Sequence, residues 1–219
     1  MIIEFVGLPG SGKSTILNLV IKGIENDSNI YFGNFHDSNR SIRALKKIFS
    51  SMNTVLRAPV LSSKGIYSCM KAYNFKFRGI ADVIKILYLT ERYRKGKINF
   101  NNQIWVFDQG LIQACWSIKM FGNKSVDVLP LFDSMIENLI IIKSNPANCL
   151  KRLNQRDDKS SRLQQGGANY DSVLRGEMIL DDIIDSLVID TGNILFVDNN
   201  DKIENAVSQT KDWLKSKIA

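Results

Sequence analysis

Histidine and closely spaced cysteines are nearly absent from this sequence of 219 residues. The single histidine, His36, excludes a metal site built from several histidines, and we expect it to have a local structural role. The three cysteines, Cys69, Cys115 and Cys149, lie far apart and form no Cys-x-x-Cys pair. We therefore expect them to be small buried residues of a protein in a reducing, cytoplasmic environment.

Long hydrophobic runs are also missing. The longest aliphatic run, at 139–142, is too short to cross a bilayer, so no membrane span is predicted. Met1 leads directly into a strand-like segment without a positively charged stretch, so no signal peptide is predicted. Hydrophobic residues make up 44% of the chain and charged residues 23%, which is typical of a globular protein. We expect residues 1–219 to form a single domain.

Acidic residues are scarce in the middle of the chain. Residues 37–100 contain fourteen lysines and arginines but only three acids, a local net charge of +11, whereas the remainder carries a net charge of −4. Such a region is either the solvated face of several helices or a surface for an anion, namely a phosphorylated substrate, a nucleic acid or an anionic membrane. The composition leaves both explanations open.

The hydrophobic pattern alternates short buried strands with helices. Residues 38–97 show helical periodicity that Ala58-Pro59 interrupts and Gly96 ends, and we predict a further helix at 131–137 and a mobile loop at 157–169. The alternation predicts an α/β fold with a parallel sheet of about five strands and helices on both faces. The predicted strands are 2–6, 30–33, 103–107, 139–142 and 194–197.

The strongest motif lies between the first strand and the first helix. Residues 7–14, GLPGSGKS, match the pattern G-x-x-x-x-G-K-[ST] of a phosphate-binding P-loop in its required context. Glycines let the backbone approach phosphate oxygens, and the helix N-terminus adds positive charge. We expect Lys13 to contact the β- and γ-phosphates and Ser14 to bind Mg²⁺. The predicted nucleotide-binding residues are Gly7, Pro9, Gly10, Ser11, Gly12, Lys13, Ser14 and Thr15.

A carboxylate ends the third predicted strand. The segment IWVFD at 104–108 places Asp108 at the carboxyl end of a buried strand, beside the predicted phosphate site. We predict that Asp108 holds the water shell of Mg²⁺ or accepts a proton from an attacking hydroxyl group. An aspartate after a strand often has the simpler role of capping the next helix. That role is compatible with binding Mg²⁺ or accepting a proton.

Basic residues follow the fourth predicted strand. Arg152 and Arg156 are four residues apart on one helix face, and Lys159 and Arg162 continue the positive charge into the loop. A mobile cationic segment can close over phosphates and exclude water, so we predict that Arg152 and Arg156 stabilise a transferring phosphoryl group. A solvated basic face is the simpler explanation.

These motifs occur in the order of one known family. The P-loop, the segment FDQG at 107–110, the run KRLNQR at 151–156 and the segment IDTGNILFVDN at 189–199 resemble the P-loop nucleoside and nucleotide kinases, most closely the thymidylate-kinase-like members. The resemblance implies a three-layer P-loop NTPase fold with a lid at 157–169 and a helical acceptor-side insertion at 31–100. It covers residues 1–24, 103–121, 138–165 and 187–217.

One position departs from the family pattern. In those kinases the strand ends in Asp-Arg or Glu-Arg, and the arginine helps to hold the acceptor, whereas this chain has Asp108-Gln109. The missing charge weakens the case for a nucleoside monophosphate and favours an uncharged hydroxyl acceptor, such as a sugar. The sequence contains no Asn-Lys-x-Asp motif for guanine, so ATP is the expected donor.

The leading hypothesis is an ATP- and Mg²⁺-dependent phosphotransferase with a small-molecule acceptor: a nucleotide, a nucleoside or another hydroxyl or phosphate compound. Its predicted catalytic residues are Lys13, Asp108, Arg152 and Arg156, with Ser14 and Asp108 at the metal. A family member that binds nucleotide without catalysis is disfavoured, because Lys13, Ser14 and Asp108 are all present. The related kinases are often dimers, so a homodimer is one expectation for an oligomeric state that the sequence leaves open.

The alternative hypothesis is a nucleotide-dependent ATPase or binding protein that acts on nucleic acid through the basic region. Tyr67, Tyr73, Phe75 and Phe77 are interleaved there with basic residues. They fit either a surface that stacks on bases or the apolar face of a helix, and we expect the apolar face.

Overall fold

A computed structural model describes residues 1–24, 30–32, 40–98, 104–123, 126–156 and 161–218 of the protein. Our predictions for His36 and Lys159 lie outside these residues. The described strands form one parallel sheet in the order β2-β3-β1-β4-β5, which confirms the predicted sheet. Their bounds are Ile2–Gly7 (β1), Ile30–Phe32 (β2), Ile104–Phe107 (β3), Asn138–Lys143 (β4) and Ile194–Asp198 (β5).

Helices cover both faces of this sheet. Because neighbouring residues of a strand point in opposite directions, Ile3 and Phe5 pack with α1 and α9, whereas Ile2 and Val6 face the larger core with α4, α5 and α8. The predicted three layers are therefore present. The described helices are Lys13–Lys22 (α1), Arg40–Arg57 (α2), Pro59–Ala72 (α3), Phe77–Ile98 (α4), Leu111–Phe121 (α5), Pro146–Asn154 (α6), Arg162–Gln165 (α7), Tyr170–Asp185 (α8) and Ile203–Ile218 (α9).

Three local predictions differ from the structure. The last turn of α4 continues through Gly96, because that turn packs closely against Ile2 and Trp105. Instead of a helix at 131–137, hydrogen bonds between residues three apart form two short 3₁₀ turns around Pro130. The predicted loop at 157–169 contains α7, which a capping box between Ser161 and Gln164 begins.

Helix α2 has an unusual orientation, because polar side chains face inward and apolar side chains face outward. Ser51 and Thr54 are buried against α4, where their hydroxyl groups donate to the carbonyl oxygens of Ile84 and Leu87 at 3.0 and 2.8 Å. The opposite face carries a row of exposed apolar residues. These are Leu45, Ile48, Phe49, Met52, Val55 and Leu56. We call this row the α2 apolar face.

The aromatic residues that we expected on one apolar helix face are divided. Tyr73 is buried, as predicted, but Tyr67 and Phe75 are 59% and 63% exposed, so the prediction is wrong for these two. Tyr67 lies on the exposed side of α3, and Phe75 follows a chain reversal after α3, where Asn74 and Phe75 adopt positive φ angles. The side chain of Phe77 lies outside the described residues. None of the helices in the described ranges combines the length and the apolar character that a bilayer crossing requires.

The buried carboxylate of Glu4 determines where α5 begins. Its Oε1 accepts a hydrogen bond from the backbone N–H of Gln113 (3.1 Å), and its Oε2 accepts from the N–H of Ile112 (3.2 Å) and the hydroxyl of Tyr93 (2.7 Å). Burial raises the pKa of Glu4, and these hydrogen bonds oppose the rise. A Cβ atom at Gly110 would overlap with the Glu4 carboxylate and the Tyr93 hydroxyl, so this position requires glycine.

We expect Glu4→Gln to lower the free energy of unfolding by about 1–3 kcal/mol. The NH₂ group of the new amide would face buried N–H and O–H groups that now donate to the carboxylate, and these groups would lose an acceptor. Urea unfolding followed by circular dichroism measures this loss. Glu204→Gln, on the exposed first turn of α9, is the matched control, and we expect it to change stability by less than about 0.5 kcal/mol. Equal effects of the two substitutions would contradict the anchoring role of Glu4.

Candidate phosphate-binding and acceptor site

The loop between β1 and α1 is packed tightly against the chain behind it. Gly10 and Gly12 have φ angles of 87° and 95°, which side chains other than glycine rarely adopt. A Cβ atom at Gly10 would overlap with the backbone of Cys149 on α6, and one at Gly12 would overlap with the Asn199 side chain after β5. The absence of side chains thus lets the loop curve around an open space in front of α1.

Lys13 lies at the start of α1 and turns back over this loop. Its ammonium group donates to the carbonyl oxygens of Gly7 (2.5 Å) and Leu8 (3.0 Å), and the residue is buried. Burial lowers the pKa of Lys13 to about 8, although the charge of Asp108 opposes the shift. Gly12 provides no side-chain cap, so the N-terminus of α1 keeps its positive partial charge for a ligand. The loop, the lysine and the helix therefore form a site for an anion.

Ser14 and Asp108, the two predicted metal ligands, lie side by side, and their role at a metal stays a prediction. The Ser14 hydroxyl lies 3.0 and 3.3 Å from the two carboxylate oxygens of Asp108, which follows β3 next to β1 in the sheet. A hydroxyl and a carboxylate fit Mg²⁺, which is usually held by one or two carboxylates together with waters and phosphates. In the described ranges, no three histidine, cysteine, aspartate or glutamate residues form a larger metal-binding group. The pair thus suits a metal that arrives with phosphates.

A cavity of about 320 Å³ opens in front of the loop. Among the described residues that line it, four are cationic and none is acidic, so the cavity favours anions. Its walls come from the P-loop, α4, α5 and the segment around α7. The lining residues are Leu8, Pro9, Gly10, Gly12, Lys13, Ser14, Lys85, Gln109, Gln113, Trp116, Ser117, Arg156, Ser161 and Arg162.

The two predicted lid arginines lie in different places. Arg156 is exposed and lines the cavity. Arg152 lies behind the P-loop, where its guanidinium group donates to the carbonyl oxygens of Ser11 (3.2 Å) and Asn199 (3.1 Å). Asn199 reinforces this packing by donating from its side chain to Ser11 at 2.7 Å. In this structure Arg152 therefore supports the loop, and its contact with a phosphoryl group stays a prediction.

Arg162 joins the described part of the predicted lid to the helical region. Its guanidinium group binds both carboxylate oxygens of the buried Asp82 on α4, at 2.5 and 2.9 Å, and the hydroxyl of Ser117 on α5 at 2.9 Å. The hydroxyl of Tyr73 also donates to Asp82 at 2.5 Å. These contacts hold α7 over the cavity. The two parallel hydrogen bonds between a guanidinium group and a carboxylate make a strong pair, so Asp82 fixes the position of Arg162.

Several lining residues were missing from the sequence prediction. The sequence prediction includes Lys85 only as part of the basic region, and it does not include Gln113 or Ser117. The sequence does contain a signal: Gln113 and Ser117 are four residues apart in the otherwise apolar segment LIQACWSIKMF, so they share one face of α5. Polar residues at helical spacing on a buried helix indicate a polar cavity or a buried network.

Comparisons with known proteins show the fold. No family model matches the chain, and no curated protein matches it. Structures of deoxyadenosine kinase from M. mycoides, with products dCMP and a flexible dCDP or with dATP bound, align with TM-scores of 0.54 at 14% and 15% identity. These alignments cover 99% and 98% of this chain and the whole of the other.

Thymidylate kinase from Candida albicans aligns with a TM-score of 0.55 at 13% identity, over 99% of this chain and 91% of the other. The chain therefore has the fold of thymidylate-kinase-like P-loop nucleotide kinases, which confirms the predicted fold class. At these identities the likeness extends to the fold alone.

We expect the lowered pKa of Lys13 to appear in the pH dependence of stability. Between about pH 8 and the ordinary lysine value of 10.5, the unfolded chain binds more protons than the folded chain, so the free energy of unfolding rises with pH. Relative to Lys13→Met, the wild type should gain about 2 kcal/mol between pH 7 and pH 9.5 in urea unfolding. Lys22→Met, at an exposed site on α1, should show no such difference. If the difference in free energy of unfolding between the wild type and Lys13→Met does not change with pH, the pKa of Lys13 is not lowered.

Proposed function

We propose that this protein is a phosphotransferase that moves the γ-phosphoryl group of Mg²⁺-ATP to a small acceptor molecule. The observation that carries the proposal is the convergence of the P-loop, Lys13 and the Ser14–Asp108 pair at one cavity that continues to polar walls on α4 and α5. The likeness of the fold to deoxyadenosine and thymidylate kinases supports the same reaction class. The burial of all three cysteines as free thiols supports a reducing, cytoplasmic location.

The positions of the side chains suggest a division of roles. Lys13 and the N-terminus of α1 would bind the donor phosphates, and Ser14 and Asp108 would hold Mg²⁺, which neutralises phosphate charge when bound. An acceptor oxygen would attack the γ-phosphorus while the bond to the β-phosphate oxygen breaks and ADP leaves. A hydroxyl acceptor would pass its proton to Asp108, which is half-buried and faces this end of the site. Arg156 would balance the charge from the exposed rim of the cavity.

A nucleic-acid-dependent ATPase is the second candidate. The observation in its favour is that Tyr67 and Phe75 are exposed on the basic region, with their ring centroids 6.4 Å apart and the ammonium group of Lys71 6.0 Å from the Tyr67 ring. Exposed aromatic rings beside lysines suit stacking on unpaired bases. This candidate differs from the first because it transfers phosphate to water and depends on an oligonucleotide.

The α2 apolar face supports the proposal of a homodimer. Leu45, Ile48, Met52 and Val55 follow one another at spacings of three, four and three residues, which is the seam spacing of two paired helices. Leu56, next to this seam, is 78% exposed. A second copy of the same helix is thus the proposed partner for this row.

The reaction can be tested by measuring ATP consumption with nucleosides, nucleotides, sugars and mixed oligonucleotides. We expect one class of small acceptor to stimulate consumption, and Lys13→Ala or Asp108→Asn to lower that rate by about 10²–10⁴-fold. Lys22→Ala is the matched control and should keep the wild-type rate, and circular dichroism should show all three variants folded. Near wild-type turnover of Asp108→Asn would refute its assignment. Stimulation by oligonucleotides alone, with phosphate released to water, would favour the second candidate.

The oligomeric state can be tested by sedimentation velocity. We expect a dimer for the wild type and a monomer for the double variant Leu45→Glu/Met52→Glu, because two charges in the seam would be buried without partners. Asn53→Glu changes an exposed residue of α2 beside the apolar face and should leave the dimer intact. A wild-type monomer at micromolar concentration, or a dimer that survives the double substitution, would refute the role of this face.

A further inference from the structure

The cavity contains a cation that no described side chain neutralises directly. Lys85 projects from α4 into the cavity, and its ammonium group makes no hydrogen bond or ion pair within the described ranges. Its pKa is lowered by burial and by the charge of Arg162, and Asp82 opposes this only partly. Asp82 is already bound to Arg162 and Tyr73, so it does not serve as a direct partner of Lys85. Lys85 is partly exposed to the cavity, and an ammonium group that lies there without an ion-pair partner favours an anionic ligand.

The neighbouring wall contains an amide oxygen that lacks a donor. Gln113 is 7% exposed and lines the same cavity, and its Oε1 accepts no hydrogen bond within the described part of the chain. The backbone N–H of Gln113 donates to Glu4, and this hydrogen bond fixes the first turn of α5 so that the Gln113 side chain lies at the cavity wall. A buried amide oxygen is costly when it is unpaired, so its native partner is an N–H or O–H group of a ligand.

The other charged groups of the cavity are already assigned. Lys13 faces the P-loop, Arg156 lies at its exposed rim, and Arg162 is held by Asp82 and Ser117. Lys85 is therefore the cation on the acceptor side that remains for a substrate. The sequence led us to expect an uncharged acceptor, because Gln109 stands where the related kinases have an arginine. In the structure, Lys85 on α4 brings a positive charge to the cavity, so an uncharged acceptor is no longer favoured.

We propose that Lys85 and Gln113 form the acceptor subsite, which selects a small acceptor with a carboxylate or phosphate group for Lys85 and a hydroxyl or amine hydrogen for Gln113. This inference rests on the proposed phosphotransfer. The cavity has a volume of about 320 Å³, and the P-loop forms part of its wall. The space that remains for an acceptor beside the donor phosphates therefore fits only a small molecule. The ring of Trp116 is buried and lines the cavity, and its N–H donates to the carbonyl oxygen of Gly176 at 2.7 Å. This ring provides an apolar surface against which the acceptor can pack.

The proposal can be tested with matched pairs of compounds that differ in one anionic group. Suitable probes are nucleoside monophosphates and nucleosides, glucose 6-phosphate and glucose, and glycerate and glycerol. Binding is measured by calorimetry in the presence of ADP, so that the result does not depend on turnover. We expect the anionic member of at least one pair to bind about tenfold or more tightly than its neutral partner. The pair that responds shows whether a phosphate or a carboxylate is preferred.

Substitutions separate the roles of the two side chains. Lys85→Met should abolish the preference for the anionic member, and Lys85→Arg should restore most of it. Gln113→Leu should weaken both members of the pair by about tenfold and leave their ratio unchanged. Lys64→Met, at an exposed position on α3, is the control, and the affinity for ADP should be the same in all variants.

The outcomes separate this proposal from the proposed function. If no anionic probe binds, or if Lys85→Met keeps the preference, the acceptor subsite is wrong. If neutral acceptors stimulate ATP consumption as well as anionic ones do, phosphotransfer stands and the subsite is again wrong. If the preference depends on Lys85 but no probe receives phosphate, the subsite stands as a binding site and the proposed reaction fails.

Discussion

The close packing of the glycine backbone between β1 and α1 is the constraint on which the rest of the site depends. Gly10 lies against the backbone of α6, and Gly12 lies against Asn199 after β5, so neither position has room for a side chain. Arg152 and Asn199 bind the outer carbonyl oxygens of the same loop. Because the loop is held from behind by two other elements, its inner side keeps a fixed concave shape, and Lys13 and the start of α1 face the cavity.

Three carboxylates lie at two depths, and their contacts differ accordingly. Glu4 and Asp82 are almost fully buried, and each holds a neighbouring element in place: Glu4 binds the start of α5, and Asp82 binds Arg162 on α7. Asp108 is only half-buried, and its single described side-chain partner is the hydroxyl of Ser14. Buried carboxylates that accept several hydrogen bonds stabilise the fold, whereas the half-buried Asp108 has room for a further partner, as its proposed roles require.

The helical region is basic for more than one reason. Arg94 binds Glu91 within α4, Lys71 lies near the Tyr67 ring, and Lys85 faces the cavity. The basic residues that give residues 37–100 a net charge of +11 therefore have different contacts, and only some of them lie at the candidate site. The inverted orientation of α2, with Ser51 and Thr54 inward, also shows that this region is shaped by contacts beyond the cavity.

The sequence by itself determined the local features: the strand–loop–helix of the P-loop, the parallel α/β sheet, and Asp108 at the end of its strand. These depend on residues that are adjacent in the chain or on regular spacing, which the sequence displays directly. The tertiary structure alone decided that Arg152 supports the loop while Arg156 lines the cavity, and that Lys85, Gln113 and Arg162 meet there, with Asp82 bound to Arg162. These residues come from separate segments, and packing across the sheet and between helices brings them together. That is also why the arginine missing at Gln109 is visible in the sequence, whereas the position of Lys85 at the cavity is not.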